Sequence, residues 1–269
     1  MENKYQKTTD QRIGVPKEFE AVFSHFYSSK NASDKDISKT LLPNFQIIMV
    51  FSFGSSVSFS TNHQGQISIE KCMVLGPIKQ ALTYTLPVGS EIFVAHFKDD
   101  AFYRFFGKII ISDQFPVHPG NLVSDNCFTN LWQLMNGTPS SNRVALLLDF
   151  CRPYLKGSEE EFQKFIDFTN ENSAVSPIKS IARDTHKSER TIQINHKKYL
   201  GYSAKEKSRY QRFIKVLQLL QNTPVKPNWH DIIDICSYYD QSQLIHDFKH
   251  FTGLTPNQYL KFQQAICRG

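Results

Sequence analysis

In two stretches of this 269-residue chain, hydrogen-bonding side chains stand at helical spacing beside an apolar stripe. One group is Glu189, Arg190 and Gln193, set against Ile192, His196 and Leu200; the other is Gln241, Ser242 and His246, set against Leu244, Phe248 and Phe251. Residues three and four apart share a helix face, so each polar group points away from its stripe, close to the N-terminal end of its helix. On a helix that enters the major groove, side chains so placed reach base edges. Gln241 can bond an adenine edge, Arg190 can form a bidentate pair with guanine, and His246 can donate to guanine or to a phosphate. Ile245 shares the outward face of the second group, and Ile194, on the first, offers apolar contact to a thymine methyl. Lys197 and Lys249 lie past these faces and are expected to meet phosphates, which position a protein without specifying sequence.

Other reactive residue types form no comparable pattern. Cys72, Cys127, Cys151, Cys236 and Cys267 are odd in number and widely scattered, with no C-x-x-C pair, and read as free thiols, mostly filling cores. His25, His63, His96 and His118 stand singly, and there is neither a glycine-rich phosphate loop nor a nucleophile elbow. No catalytic residue, metal ligand or cofactor is expected. Charge is informative by its distribution: residues 170–269 hold 15 Lys/Arg against 8 Asp/Glu, a net +7, and the remaining 16 against 17 leave residues 1–169 at −1. The basic excess suits a polyanion partner, because Lys and Arg displace condensed counterions from phosphates. The polar start MENKYQKTTDQR carries no secretory signal, and no apolar run approaches the roughly 18–20 residues of a membrane span, so a cytoplasmic protein with no membrane partner is expected.

The length favours two domains. Residues 1–40, with the patch SSKNASDKDISK, read as an irregular start. From Leu41 the period changes to two: Phe45, Ile47, Met49, Phe51 and Phe53 alternate with their neighbours, and Val57 and Phe59 alternate with serines. Strand-like runs follow at Gln66–Ile69, Ala81–Leu86 and Glu91–Phe97, separated by turn signals, and predict a small antiparallel sheet or barrel. The segment DDAFYRFFGKII then places Phe102, Phe105 and Phe106 at helical spacing, and residues 121–170 read as helices over Leu122–Met135, Ser141–Tyr154 and Glu159–Phe168. The small, polar segment Thr169–Pro177 is the expected boundary between domains 1–170 and 171–269, the first β-rich to about residue 120.

Beyond the boundary no strand pattern recurs. Ser176 and Pro177 open a helix with Ile181 and Ala182 on its buried side; Ser188 caps the next; Phe213, Val216, Leu217 and Leu220 stripe a long connecting helix over Lys205–Gln221. About fifty residues after the first unit the same grammar returns, with Trp229, Ile232, Ile233 and Cys236 on one helix and Asp240 capping another. The fold class is therefore α+β: an antiparallel, cupin-like first domain carrying helices, then an all-α domain of two helix-turn-helix motifs joined by a long helix.

Tyr238–Phe262, YYDQSQLIHDFKHFTGLTPNQYLKF, closely resembles the second helix-turn-helix of AraC/XylS-type bacterial transcription regulators through Tyr238, Asp240, Ser242, Phe248, Lys249, Gly253, Thr255, Pro256 and Tyr259. Ser188, Ile192, Lys197, Gly201 and Ser203 repeat that register in the first motif, and Arg212, Leu219 and Leu220 match the connecting helix. This chain departs from the pattern at both turns, where His186 and Ser237 replace glycine, and at Ile194, His196, Ala204 and His246. The resemblance implies that the recognition helices enter successive major grooves about 34 Å apart. It also implies a promoter-bound activator that contacts RNA polymerase. LLPNFQIIMVFSFGSS and VLGPIKQALTYTLPVGSEIFVAHFKDDAFYRFFG look like the regulatory domain of one AraC subgroup, whose strand-rich part is the sensor and whose following helices are candidates for homodimerisation. Of the 22 phenylalanines, 18 fall in residues 1–169, which suits an apolar pocket for a small-molecule effector and equally a solid core. Three readings stay open: a ligand-responsive activator, a DNA-binding protein whose first domain serves assembly, and a metal-dependent cupin-like enzyme fused to a DNA-binding tail.

Overall fold

The structure is a computed structural model and describes residues 8–61, 64–107, 116–123, 125–157, 163, 177–222 and 228–266. Its strands are Thr8–Ile13 (β1), Phe23–Asn31 (β2), Ile37–Leu41 (β3), Ile48–Phe53 (β4), Val57–Thr61 (β5), Gln64–Ile69 (β6), Cys72–Leu75 (β7), Leu82–Leu86 (β8) and Glu91–Phe97 (β9). They pair antiparallel in two sheets, ordered β1-β2-β9-β4-β7 and β3-β8-β5-β6. The sheets enclose Ile48, Val50, Val57, Phe59, Leu86 and Val94. The other face of the five-stranded sheet packs against helices Ala101–Phe106 (α1), Cys127–Asn136 (α3) and Arg143–Cys151 (α4), with the single turn Gly120–Val123 (α2) between them. Central strands β4 and β9 thus serve two cores. Met49 and Phe51 face the helices while Ile48 and Val50 face the second sheet, so every position of β4 is buried.

Residues 8–41 are not the irregular start expected from their polarity; they form β1, β2 and β3. β1 is an edge strand with Thr9–Arg12 exposed, held by a continuous ladder from Thr8↔Asn31 to Ile13↔Phe26. A register shift between Phe23 and His25 breaks the period of two in β2. Its buried polar residues are satisfied by bonds beyond the strand: Ser29 Oγ donates to Asp10, and Asn31 Nδ2 donates to the carbonyls of distant Leu86 and nearby Lys35. β7 likewise went unread in the sequence, and the predicted helix Leu122–Met135 is two helices, α2 and α3. A second correction concerns Phe45. Its backbone is left-handed (φ 58°), β4 begins only at Ile48, and the ring leaves the sheet altogether to join the core of the C-terminal helices.

Those helices are Pro177–Asp184 (α5), Glu189–Leu200 (α6), Ala204–Asn222 (α7), Trp229–Ile235 (α8), Gln241–Thr252 (α9) and Pro256–Ile266 (α10). They bury Ile181, Ile192, Phe213, Val216, Leu244 and Phe248 in one cluster. α10, beyond the TGLTP turn, seats Tyr259 against Phe248 at 5.7 Å between ring centroids. The expected helix Glu159–Phe168 and boundary segment Thr169–Pro177 lie outside the described residues, apart from Gln163 and Pro177. Among the described residues no helix is long and apolar enough to cross a membrane.

Candidate nucleic-acid interface

α6 and α9 are built by the same local devices. Ser188 caps α6, its hydroxyl accepting from Thr191 N at 3.1 Å, and Asp240 caps α9, its carboxylate accepting from Gln243 N at 2.7 Å. Gln243 reaches back in turn, its Oε1 accepting from the N–H of Tyr239, the residue before the cap, at 3.0 Å. Each helix ends on a left-handed glycine, Gly201 (φ 77°) and Gly253 (φ 75°), whose N–H returns to the carbonyl of Lys197 or Lys249. The turns that enter the two helices use His186 (φ 53°) and Ser237 (φ 57°) in the left-handed region. The conformation that glycine would supply is present here at a steric cost.

The apolar stripes are buried as read: Ile192, His196 and Leu200 on α6, and Leu244, Phe248 and Phe251 on α9. Opposite them, Glu189, Arg190, Gln193 and Lys197 are exposed on α6, and Gln241, Ser242, His246 and Lys249 are exposed on α9. Ile194 is 57% exposed, an unusual outlay of apolar surface on a helix otherwise faced with polar groups. Ile245, by contrast, is half-buried. Tyr239, at the entry to α9, is 92% exposed.

The sequence offered no sign of the network that holds α9 to the connecting helix. Arg209, on α7, donates through Nε to Asp247, which is buried, and through Nη2 to His246 Nδ1 at 2.9 Å. Tyr238 O–H donates to the other Asp247 oxygen at 3.1 Å. Burial, reinforced by the Asp247 charge, holds the Tyr238 phenol well above the usual range, so it stays a donor. Because guanidinium has no acceptor, Nδ1 of His246 must accept, and the neutral ring carries its proton on Nε2. The network thereby fixes His246 as an outward donor. In the first motif, His196 takes the interior place of an aromatic: its Nδ1 meets the carbonyl of Tyr202 at 2.7 Å, and burial pulls its pKa down to about 4. His196 Nδ1 and the Asp247 carboxylate are polar groups inside a core, each held by protein partners.

Among residues 8–157 the histidines are less isolated than their spacing suggests. His25 and His96 stack at 3.9 Å, with His96 Nδ1 3.2 Å from Gln46 Oε1; burial pulls His96 down to about 3, assisted by His25 and Arg12. Cys72 Sγ lies 3.3 Å from His118 Nε2, and burial pushes the thiol up to about 12. His63 lies outside the described residues. Among the described residues no group of three or more His, Cys, Asp and Glu side chains is placed to hold a metal ion. Cys72, Cys127, Cys151 and Cys236 are free thiols, and all but Cys127 are buried.

The protein family described as "Helix-turn-helix domain" matches residues 181–261, a span that contains α6, α7 and α9 whole. Comparison with curated proteins gives no match. Among solved structures, ToxT from Vibrio cholerae superposes with a TM-score of 0.43 at 12% identity, over 87% of this chain and 97% of its own. The cupin domain of an XRE-family transcriptional regulator from Enterobacter cloacae gives 0.27 at 9% identity, over 35% of this chain and 99% of its own. The AraC-like transcriptional activator CuxR gives 0.25 at 7% identity, over 77% and 86%. Residues 181–261 are an AraC-type helix-turn-helix domain.

Proposed function

We propose that this protein is a DNA-binding transcription regulator that reads an asymmetric DNA site by seating α6 and α9 in successive major grooves, and that it acts as an activator through contact with RNA polymerase. The observation that carries the DNA-reading part is the pairing of two equally capped helices, each exposing polar side chains opposite a buried stripe. Base reading is assigned to Glu189, Arg190 and Gln193 on α6 and to Gln241, Ser242 and His246 on α9, and phosphate contact to Lys197 and Lys249. α9 supports the richer reading, because its donor geometry at His246 is set by Arg209.

Residues 1–170 are proposed as the sensory and dimerisation domain and residues 171–269 as the DNA-binding domain. Each side of that division has a core of its own, the first apolar around both sheets and α1, α3 and α4, the second among α5–α10 with Phe45 as its guest. A small-molecule effector, a homodimer formed through the first domain's helices and a cytoplasmic location belong to the same proposal. Chromatographic size and a thermal-shift screen with small molecules test the first two.

DNA reading is tested on duplexes selected from random sequence by the full-length protein. Gln241→Ala or Arg190→Ala is expected to relax preference at the contacted base by roughly 10- to 100-fold, while Lys249→Ala weakens all sequences alike. If both base-reader variants keep the wild-type footprint and affinity, the residue assignment is wrong.

A further inference from the structure

Phe45 sits in a core that its own domain does not build. Its ring stacks on Tyr210 of α7 at 4.5 Å, meets Tyr202 edge-on at 5.0 Å, and reaches Phe251 of α9 at 6.3 Å. Tyr202 immediately follows the first recognition helix, Tyr210 lies on the connecting helix, and Phe251 is in the last turn of the second recognition helix. One side chain from the first domain therefore touches all three parts whose relative placement sets the distance between α6 and α9.

The bonds around it share that distribution. Tyr210 O–H donates to the carbonyl of Pro43 at 2.8 Å, Ala81 N donates to the carbonyl of Phe251 at 2.8 Å, and Lys79 pairs with Glu206 at 2.8 Å. Glu206 is also the residue that accepts from Ser203 N and Oγ to cap α7. Lys207 lies 5.7–5.9 Å from the Phe45, Tyr202 and Tyr210 rings, with Asp99 of the first domain opposing the burial that lowers its pKa. The loop that carries Phe45 is braced from behind: Asn44 N and Phe45 N both donate to the Ile78 carbonyl, at 3.1 and 3.0 Å. A bulky residue is held in the left-handed region only where its surroundings enforce it, and here the enforced conformation aims the ring out of the sheet.

We propose that Phe45 is a positioning residue for bipartite DNA reading, a wedge by which the first domain locks the spacing of α6 and α9. The inference rests on the two-groove reading given above. Any rotation of one motif against the other about α7 would have to withdraw Tyr202 or Phe251 from the ring. The first domain therefore need not touch DNA to alter which sites are read; moving the Pro43–Gln46 loop suffices.

The test uses the full-length protein and a duplex selected by the wild type, compared with derivatives that carry one base pair inserted or deleted between the half-sites. One base pair shifts and rotates one groove relative to the other, so wild type is expected to lose roughly tenfold or more in affinity on the altered spacings. Phe45→Ala is expected to cut that penalty to about threefold or less, and Phe45→Met, which retains apolar volume, is expected to restore it. The fluorescence of Trp132 and Trp229 checks that both domains are folded. If Phe45→Ala does not fold, Lys79→Ala combined with Tyr210→Phe severs the flanking ion pair and hydrogen bond while keeping the ring, and is expected to reduce the penalty likewise. A wild-type penalty in the folded variant overturns the wedge. Absence of any sequence-selected binding by wild type instead overturns the DNA-reading proposal, and the wedge with it.

Discussion

Arg209→Met isolates the ion pair that fixes the second recognition helix. The Asp247 side chain is 2% exposed, and once Arg209 is gone Tyr238 O–H is the one donor left to it among the described residues. Removing one partner of a buried pair costs about 3–5 kcal/mol because the other charge stays buried and uncompensated. Arg209 is itself 26% exposed and Tyr238 remains, which scales the loss to about 2–3 kcal/mol. Urea unfolding followed by Trp229 fluorescence, in a Trp132→Phe background that leaves one reporter, reads the C-terminal helices separately from the sheets. With slopes of about 1–3 kcal/mol/M for small domains, the midpoint should fall by about 0.7–3 M. Replacing both partners, as Arg209→Met with Asp247→Leu, should recover part of that loss, since a buried pair exchanged for apolar groups of similar size is close to neutral while the Tyr238 hydroxyl loses its acceptor. The reasoning is refuted if the single variant unfolds at the wild-type midpoint, or if the double variant is no more stable than the single one.

Four further outcomes follow from the same geometry. Ser237→Gly should stabilise the second motif by about 0.5–1 kcal/mol, because the left-handed turn now bears a side chain; calorimetry reads the gain. Gly253→Ala at the cap of α9 should instead cost about 1 kcal/mol, by the same unfolding assay. For pH, the folded pKa of His196, about 4, lies below its ordinary 6.5, so the unfolded chain takes up the proton first. Stability from this group is complete above about pH 6.5 and is lost as pH falls toward 4, at up to about 1.4 kcal/mol per unit. His196→Phe should flatten that part of the Trp229-monitored profile, and an unchanged profile would show that other groups govern it. Lys197→Ala should reduce the slope of log affinity against log salt by about one, measured by fluorescence anisotropy on selected DNA.

The two recognition helices were legible because their signals are local. Ser188 and Asp240 accept from backbone three residues on, Gly201 and Gly253 terminate four residues after their carbonyl partners, and the stripes repeat within one helix. The central strands were legible for a similar reason, since β4 and β9 carry enough Phe, Ile and Val to show their period directly. β1, β2 and β3 were not, because what orders Thr8–Leu41 is a set of backbone ladders, β1 to β2 and then β2 and β3 to the distant strands β9 and β8. The polar residues that mask its period are buried through bonds such as Asn31 to Leu86, 55 residues away.

The sequence by itself determined the helix-turn-helix repeat, its caps, its outward polar faces and the basic charge of the C-terminal part, all of which depend on residues within a turn or two of one another. Only the tertiary structure decided that Arg209 aims His246 from 37 residues away, that Asp247 turns inward to receive it, and that Phe45 leaves its strand to fill the space between the two motifs. Those arrangements arise where separate elements meet, and a side chain's partner across such a junction is chosen by shape and charge in space, which spacing along the chain does not record.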